Sequence, residues 1–256
     1  MRAAEALSRH VVDLGNSRLK WARLDPDGRP GLPVALPIDD DDAWSAAIDE
    51  ADDVWPGSTW AVATVNPPAA ARLADLLRAR GVERVSWYAS AAAVPVRHRL
   101  EQPETAGADR ALAVLAAARE GGPGLVVSCG TAITVERVGA DGVWDGGAIA
   151  PGLSIAARAL HRHTAQLPQV EPGEAPPPWG RSTEPALAAG VFWGAVGSIR
   201  ELIARQSEGL GPTPWRIWTG GDAPRLAPHV DGPDARVVPD LVLIGLARAV
   251  FGGADR

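Results

Sequence analysis

One pattern, written twice, constrains this chain more than any other feature. "HVVDLGNSRLKWARL" (10–24) is an apolar run, a small polar turn at a glycine, and a second half-apolar run; "LVVSCGTAITV" (125–135) repeats that grammar in the second half. Each reads as strand, X-X-Gly-[Asn/Thr], strand. An internal repeat of this kind predicts two similarly folded lobes. Taken singly, each stretch is ordinary hairpin chemistry, because Gly15 and Asn16 tolerate left-handed backbone. Taken together, two glycine turns facing one cleft would offer backbone N–H groups to a polyphosphate. Asp13 would then hold a magnesium ion, and the Thr131 hydroxyl would meet a phosphate.

The segments around the repeats alternate. "STWAVATVN" (58–66) reads as a strand ending at two prolines, and "PAAARLADLLRARG" as a helix with Leu73, Leu76 and Leu77 on one face and a stop at Gly81. "VERVSWYAS" is a strand and "ADRALAVLAAAREGG" an alanine-rich helix. Strands alternating with helices predict an α/β fold. After the second repeat come a further strand ending at "WDGG", the helix "PGLSIAARALHRHTAQLP", and an irregular proline-rich loop over 168–180. "TEPALAAGVFWGAVGSIRELIARQ" reads as a long helix whose glycines allow close helix packing. "WRIWTGGDAPRL" is a strand entering a diglycine turn, and "DLVLIGLARAVFG" a last apolar helix. The division expected from this order is an N-terminal lobe over 1–118 and a C-terminal lobe over 119–256.

Bulk properties narrow the function classes. A net charge of −6 with no basic block argues against nucleic acid and anionic membranes as partners. The single cysteine, Cys129, excludes an internal disulfide and a cysteine-based metal cluster, and reads as a small buried hydrophobe. The first residues, "MRAAEALSRHVVDLG", lack the apolar core of a signal peptide, and no stretch is expected to span a bilayer. A cytoplasmic location is therefore expected. The run Asp39–Asp42 reads as a solvated loop entering a helix, and His161 and His163 point to different helix faces, which disfavours zinc. Ten tryptophans against two phenylalanines and one tyrosine point to core packing.

Read in order, "DLGNSRLK", "GADRAL" (107–112), "CGTAITV", "DGGAIAPGL" (145–153), "GRSTEPALAAG" (180–190) and "TGGDA" (219–223) resemble the type III pantothenate kinases, within the superfamily of acetate kinase, sugar kinases, Hsp70 and actin. The resemblance covers nearly the whole chain. It implies two ribonuclease H-like lobes with a cleft between them, and ATP-dependent phosphorylation of pantothenate to 4'-phosphopantothenate, the first step of coenzyme A biosynthesis. It implies that Asp13, Leu14, Gly15, Asn16, Ser17, Arg18, Leu19, Lys20 and Thr131 bind ATP, with Mg2+ at Asp13. Leu100, Gly107, Ala108, Asp109, Arg110 and Thr183 would bind pantothenate, and Asp109 would accept the proton of its hydroxyl. Thr183 would do so across the interface of a homodimer, and the "TGGDA" turn would lie by the adenosine. Plain alternatives stand beside these roles. Asp109 suits a helix N-cap, Thr183 suits the cap of a helix with Pro185 in its first turn, and Lys20 suits an exposed strand. Arg110 suits either the substrate carboxylate or a hold on Asp109.

Three positions depart from the pattern the resemblance implies. Ser128 stands where the second loop commonly carries an aspartate that helps bind a monovalent cation, so a K+ or NH4+ ion would meet one neutral oxygen there. Leu100 stands where a tyrosine is common, and Glu136 where the strand often ends in aspartate. Two rival readings follow: a related kinase acting on another small substrate, or a non-catalytic nucleotide-binding regulator with a kinase-like fold.

Overall fold

Apolar residues on alternate positions of short β-prone runs bury one face of a strand, and that periodicity sets both sheets here. The computed structural model describes residues 8–51, 57–171 and 173–252. Residues 1–7, on which the expectation about a signal peptide rests, lie outside it, as do 52–56 at the end of the acidic stretch and 172 in the proline-rich loop. The described residues fall into two compact units. One takes in the chain up to Val96, Glu101–Ala116 and the residues from Asp240; the other takes in Arg97–Leu100 and Ala117–Pro239.

The first unit opens with β1 (Arg9–Leu14), β2 (Arg18–Arg23), β3 (Val34–Pro37), α1 (Asp41–Glu50), β4 (Thr59–Thr64), α2 (Pro67–Ala79), β5 (Arg84–Tyr88) and α3 (Ala108–Ala117). Its sheet has the order β3-β2-β1-β4-β5, antiparallel across the first three strands and parallel from β1 to β5. Val12, Leu14, Leu19, Trp21, Trp60 and Val62 pack with Trp44 and Leu73 in one core beneath α1 and α2. Asp40 caps α1, its carboxylate accepting the Ala43 N–H at 2.9 Å, and Asp41 pairs with Arg72 at 2.8 Å, while Asp39 and Asp42 are exposed. His10 is fully buried and stacks on Trp60 with ring centroids 4.5 Å apart. The Trp21 indole N–H donates to His10 Nδ1, which leaves the proton on Nε2, facing Ser8 Oγ; both contacts are 3.1 Å.

The second unit holds β6 (Gly124–Cys129), β7 (Ala132–Val138), β8 (Trp144–Pro151), α4 (Leu153–Arg162), α5 (Thr183–Ser207), β9 (Trp215–Thr219), α6 (Ala223–Leu226) and α7 (Pro228–Asp231). Its sheet order, β8-β7-β6-β9, reproduces β3-β2-β1-β4 of the first, with the same strand directions. The repeat seen in the sequence is thus a repeat of topology. Trp44, Trp60, Trp144 and Trp218 are almost wholly buried, and each indole N–H has an acceptor. Truncating such a side chain to alanine costs roughly 3–5 kcal/mol.

Three expectations change in the structure. The last helix, α8 (Leu241–Phe251), packs on β1 and β4 of the first unit, whereas the expected boundary grouped it with 119–256. Gly245 permits this, since a Cβ there would lie 2.1 Å from the Leu112 carbonyl oxygen. Second, α5 is long and apolar enough to cross a membrane by length and composition, contrary to the reading that no stretch is. Its apolar residues have another use. Val191, Phe192, Val196, Ile199 and Ile203 lie in the core with β6 and β7, while Glu184, Arg200, Glu201 and Arg205 stay exposed. Third, among the described residues nothing packs closely against the α5 glycines. Gly190, Gly194 and Gly197 lie on its exposed face, with nothing within 4 Å of a Cβ placed on them.

Candidate active site

Strand parity decides which side chains can meet. Val12 and Leu14 point into the α1–α2 core, so Asp13 between them points to the opposite face of the sheet, the face that α8 covers. The β1–β2 register pairs Asp13 with Lys20, which places both on that face. Asp109, in the first turn of α3, and Asp240, immediately before α8, complete a group of three carboxylates and one ammonium within the first unit.

The electrostatics of this group are unequal. Asp13 is largely enclosed, and its carboxyl is pushed from the ordinary 3.8 up to about 7. Desolvation is the largest cause, the Asp109 charge adds to it, Lys20 opposes it, and Asp240 adds again. The Lys20 ammonium stands 2.6 Å from Asp240 Oδ1. Asp240 escaped the sequence reading because an aspartate ahead of an apolar run looks like a helix cap. It occupies the cap position, yet its side chain makes no capping bond. Its φ of 55° makes it the only non-glycine residue with positive φ among those described.

The other residues expected at the site separate by exposure. Gly15, Asn16 and Ser17 form the first turn, closed by a Gly15 N–H to Arg18 carbonyl bond of 3.1 Å. Neither Gly15 nor Asn16 adopts the left-handed backbone the turn pattern allows. Leu14 and Leu19 are buried in the core, so only their backbone is open to a nucleotide, while Arg18 is exposed. Ala108 is likewise buried and offers backbone alone. Gly107 leaves room for Asp109, since a Cβ there would fall 2.4 Å from Asp109 Oδ1. Asp109 is not the α3 cap: it lies inside the first turn, and its Oδ1 accepts the Arg110 N–H at 2.8 Å. A carboxylate at that end of a helix is favoured by the helix dipole.

In the second unit, Cys129 and Gly130 repeat the places of Leu14 and Gly15, so Ser128 stands where Asp13 stands in the first. Its register partners are Thr134 and Thr219. The same face therefore carries three hydroxyls where the first unit has Asp13 and Lys20. The β6–β7 turn, which carries the partly exposed Thr131, is hemmed in by backbone. A Cβ on Gly152 would fall 2.2 Å from the Gly130 carbonyl oxygen, and one on Gly220 would fall 2.3 Å from that of Cys129. Gly220 also needs its φ of 94°, and the Asp222 N–H bonds the Cys129 carbonyl at 2.9 Å, which brings the "TGGDA" turn against this loop. Burial, with the Asp222 charge second, pushes the Cys129 thiol up to about 12, so it is no nucleophile.

Leu100 is half-buried near Gly146, and buried Glu136 accepts the Trp144 indole N–H at 3.0 Å. Thr183 is the exposed first residue of α5, while Ser182 holds the cap position, so Thr183 does not cap the helix. Among the described residues, no cluster of three or more His, Cys, Asp or Glu side chains is placed to hold a metal by itself.

Residues 10–205 match the family described as "Type III pantothenate kinase". A type III pantothenate kinase of Janthinobacterium sp. (strain Marseille) is 35% identical over 254 residues, covering 92% of this chain and 95% of the relative. One from Acidiphilium cryptum (strain JF-5) is 40% identical over 148 residues, which spans 57% of this chain and about half of that relative, 55%. A solved protein of Sinorhizobium meliloti, proposed to be a 2-dehydro-3-deoxygalactonokinase, superposes with a TM-score of 0.59 at 16% identity, over 97% of this chain and all of that one. Likeness at that identity shows the fold alone, an α/β fold of the sugar-kinase and actin type.

Proposed function

This chain belongs to the type III pantothenate kinase family, and from that premise we propose that it transfers the γ-phosphoryl group of ATP to the hydroxyl of pantothenate, giving ADP and 4'-phosphopantothenate. The observation that carries the reading is the meeting of Asp13, Lys20 and Asp109 on one face of the first unit. In the reaction, the pantothenate oxygen forms a bond to the γ-phosphorus in line with the bond to the β–γ bridging oxygen, which breaks. The hydroxyl proton passes to Asp109. With a loose transition state that transfer comes late, and positioning supplies most of the rate. Lys20 puts positive charge beside the phosphates, while the Gly15 and Gly130 N–H groups stay within their own turns, bonded to the Arg18 and Ala132 carbonyls.

A kinase of this family uses a divalent metal with ATP. The donors present fit Mg2+: carboxylate oxygens near Asp13 and no complete protein cage, as suits an ion that keeps waters and phosphate oxygens as ligands. Magnesium, when bound with ATP, neutralises the charge of the transferring phosphoryl group. Asp13 is the residue that would hold it. K+ or NH4+ at Ser128 would be met by hydroxyl oxygens without a formal charge.

Arg110 and half-buried Leu100 supply charge and apolar contact for pantothenate. Exposed Thr183 completes the site in a homodimer, a reading supported by its freedom from capping work. The enzyme works in the cytoplasm, where ATP is supplied. The test is ADP release with pantothenate, Mg2+ and either K+ or NH4+. Turnover with pantothenate supports the reading; turnover with a sugar and none with pantothenate overturns it. Light scattering on the eluted peak should give a dimer mass, and a monomer alone counts against the shared site.

A further inference from the structure

Asp240 is an outlier in three respects at once. It is the one non-glycine residue among those described with left-handed backbone, a state that residues with a Cβ adopt only at a cost. It stands at the N-terminus of an eleven-residue helix, where an aspartate ordinarily accepts a backbone N–H, and it does not cap. Its carboxylate is instead spent on Lys20, 220 residues away in sequence and 2.6 Å away in space. Strain held at such a residue points from geometry to function.

What that contact does follows from the register. Lys20 lies opposite Asp13 on the neighbouring strand, close enough for its charge to act on that carboxyl. Left to itself, a flexible ammonium beside an enclosed carboxylate would pair with it, and a divalent cation would then have to displace the pair. The ion pair the ammonium makes is with Asp240. We propose that Asp240 is a positioning residue of the phosphate site: it draws the Lys20 ammonium off Asp13, so that Asp13 can take the Mg2+ that arrives with ATP while Lys20 stays on the phosphate side. The inference rests on the nucleotide reading given above, and on no claim about pantothenate.

The variants separate this from a structural role. Asparagine caps helices as well as aspartate does, and asparagine and glycine both accept left-handed backbone. D240N and D240G should therefore fold, with melting temperatures at or above wild type. The measurement is ATP binding to the full chain by titration calorimetry, without pantothenate, once with Mg2+ and once with EDTA. The ratio of the two affinities reports the metal's share. In D240N and D240G that ratio should fall about tenfold, because Lys20 turns to Asp13. Removing the lysine as well should rescue it: D240N/K20M should return to the ratio of K20M alone. A wild-type ratio in D240N overturns the proposal, and so does a double variant whose losses simply add. Wild type that binds no MgATP overturns it too. Wild type that binds MgATP but fails to phosphorylate pantothenate sinks the substrate assignment only, and the calorimetric ratios still decide the role of Asp240.

Discussion

The β1–β2 and β6–β7 hairpins share strand order, direction and the position of their glycine, yet they differ in two ways. On the face turned away from its buried apolar core the first carries Asp13 opposite Lys20, and the second carries Ser128 opposite Thr134. The first turn is loose around Gly15, where a Cβ would meet only the Arg18 carbonyl oxygen at 3.5 Å. The second is locked between Gly152 and Gly220. One scaffold thus carries a charged face in one copy and a neutral face beside a backbone-locked turn in the other. Duplication of a fold sets where groups stand, and the residues at the paired positions set what those groups do.

The contrast can be broken at several points. The largest effect falls on the charged copy: Asp109→Asn should lower kcat about a thousandfold with the melting temperature retained, as measured by ADP release and thermal unfolding. Near wild-type turnover would remove Asp109 from proton transfer. The rigidity of the neutral copy comes next. Gly220→Ala must place a Cβ 2.3 Å from a backbone oxygen at a φ of 94°, and should cost about 3 kcal/mol in denaturant unfolding. Gly15→Ala should cost less than about 1 kcal/mol in the same experiment. Equal losses would erase the difference between the turns.

Next in size is a pH effect. Because the folded chain raises Asp13 from 3.8 to about 7, it holds that proton more tightly than the unfolded chain does. The resulting stability is fully present below about pH 4 and is lost as the pH rises to about 7. Without metal, Asp13→Asn should flatten unfolding stability across that window by on the order of 2 kcal/mol. An unchanged slope would mean that another group titrates there. The smallest change would bring the copies together: Ser128→Asp should sharpen activation by K+ a few-fold, read from rate against K+ concentration.

Local pattern carried much of this molecule. The hairpins at Asp13 and Ser128, the helix that begins at the Gly-Ala-Asp-Arg segment and the diglycine turn are set by residues near in sequence, and all appear where periodicity and turn chemistry put them. What stayed hidden depends on distance along the chain. Nothing near Asp240 announces Lys20, and an aspartate ahead of "LVLIGLARAVF" reads as a cap. The destination of α8 was hidden for the same reason, since an apolar helix does not say which sheet it covers. The glycines of α5 meet no close neighbour among the described residues, and small residues look alike in sequence whether they face a neighbour or solvent. Leu14 and Leu19, expected at the nucleotide, are instead buried, because strand alternation turns them into the core.

The return of α8 to the first sheet has a consequence for the order in which the molecule is made. The second unit is nearly continuous, so its strands and helices have almost all their partners once residue 239 has left the ribosome. The first unit is begun earlier and finished later. Its β1 and β4 wait for 241–251, and Gly245 must slide against the Leu112 backbone only after more than a hundred intervening residues have been synthesised. Folding from the N-terminus forward is thereby inverted: the half translated first matures last, and until then the uncovered side of its sheet is the surface a chaperone would shelter.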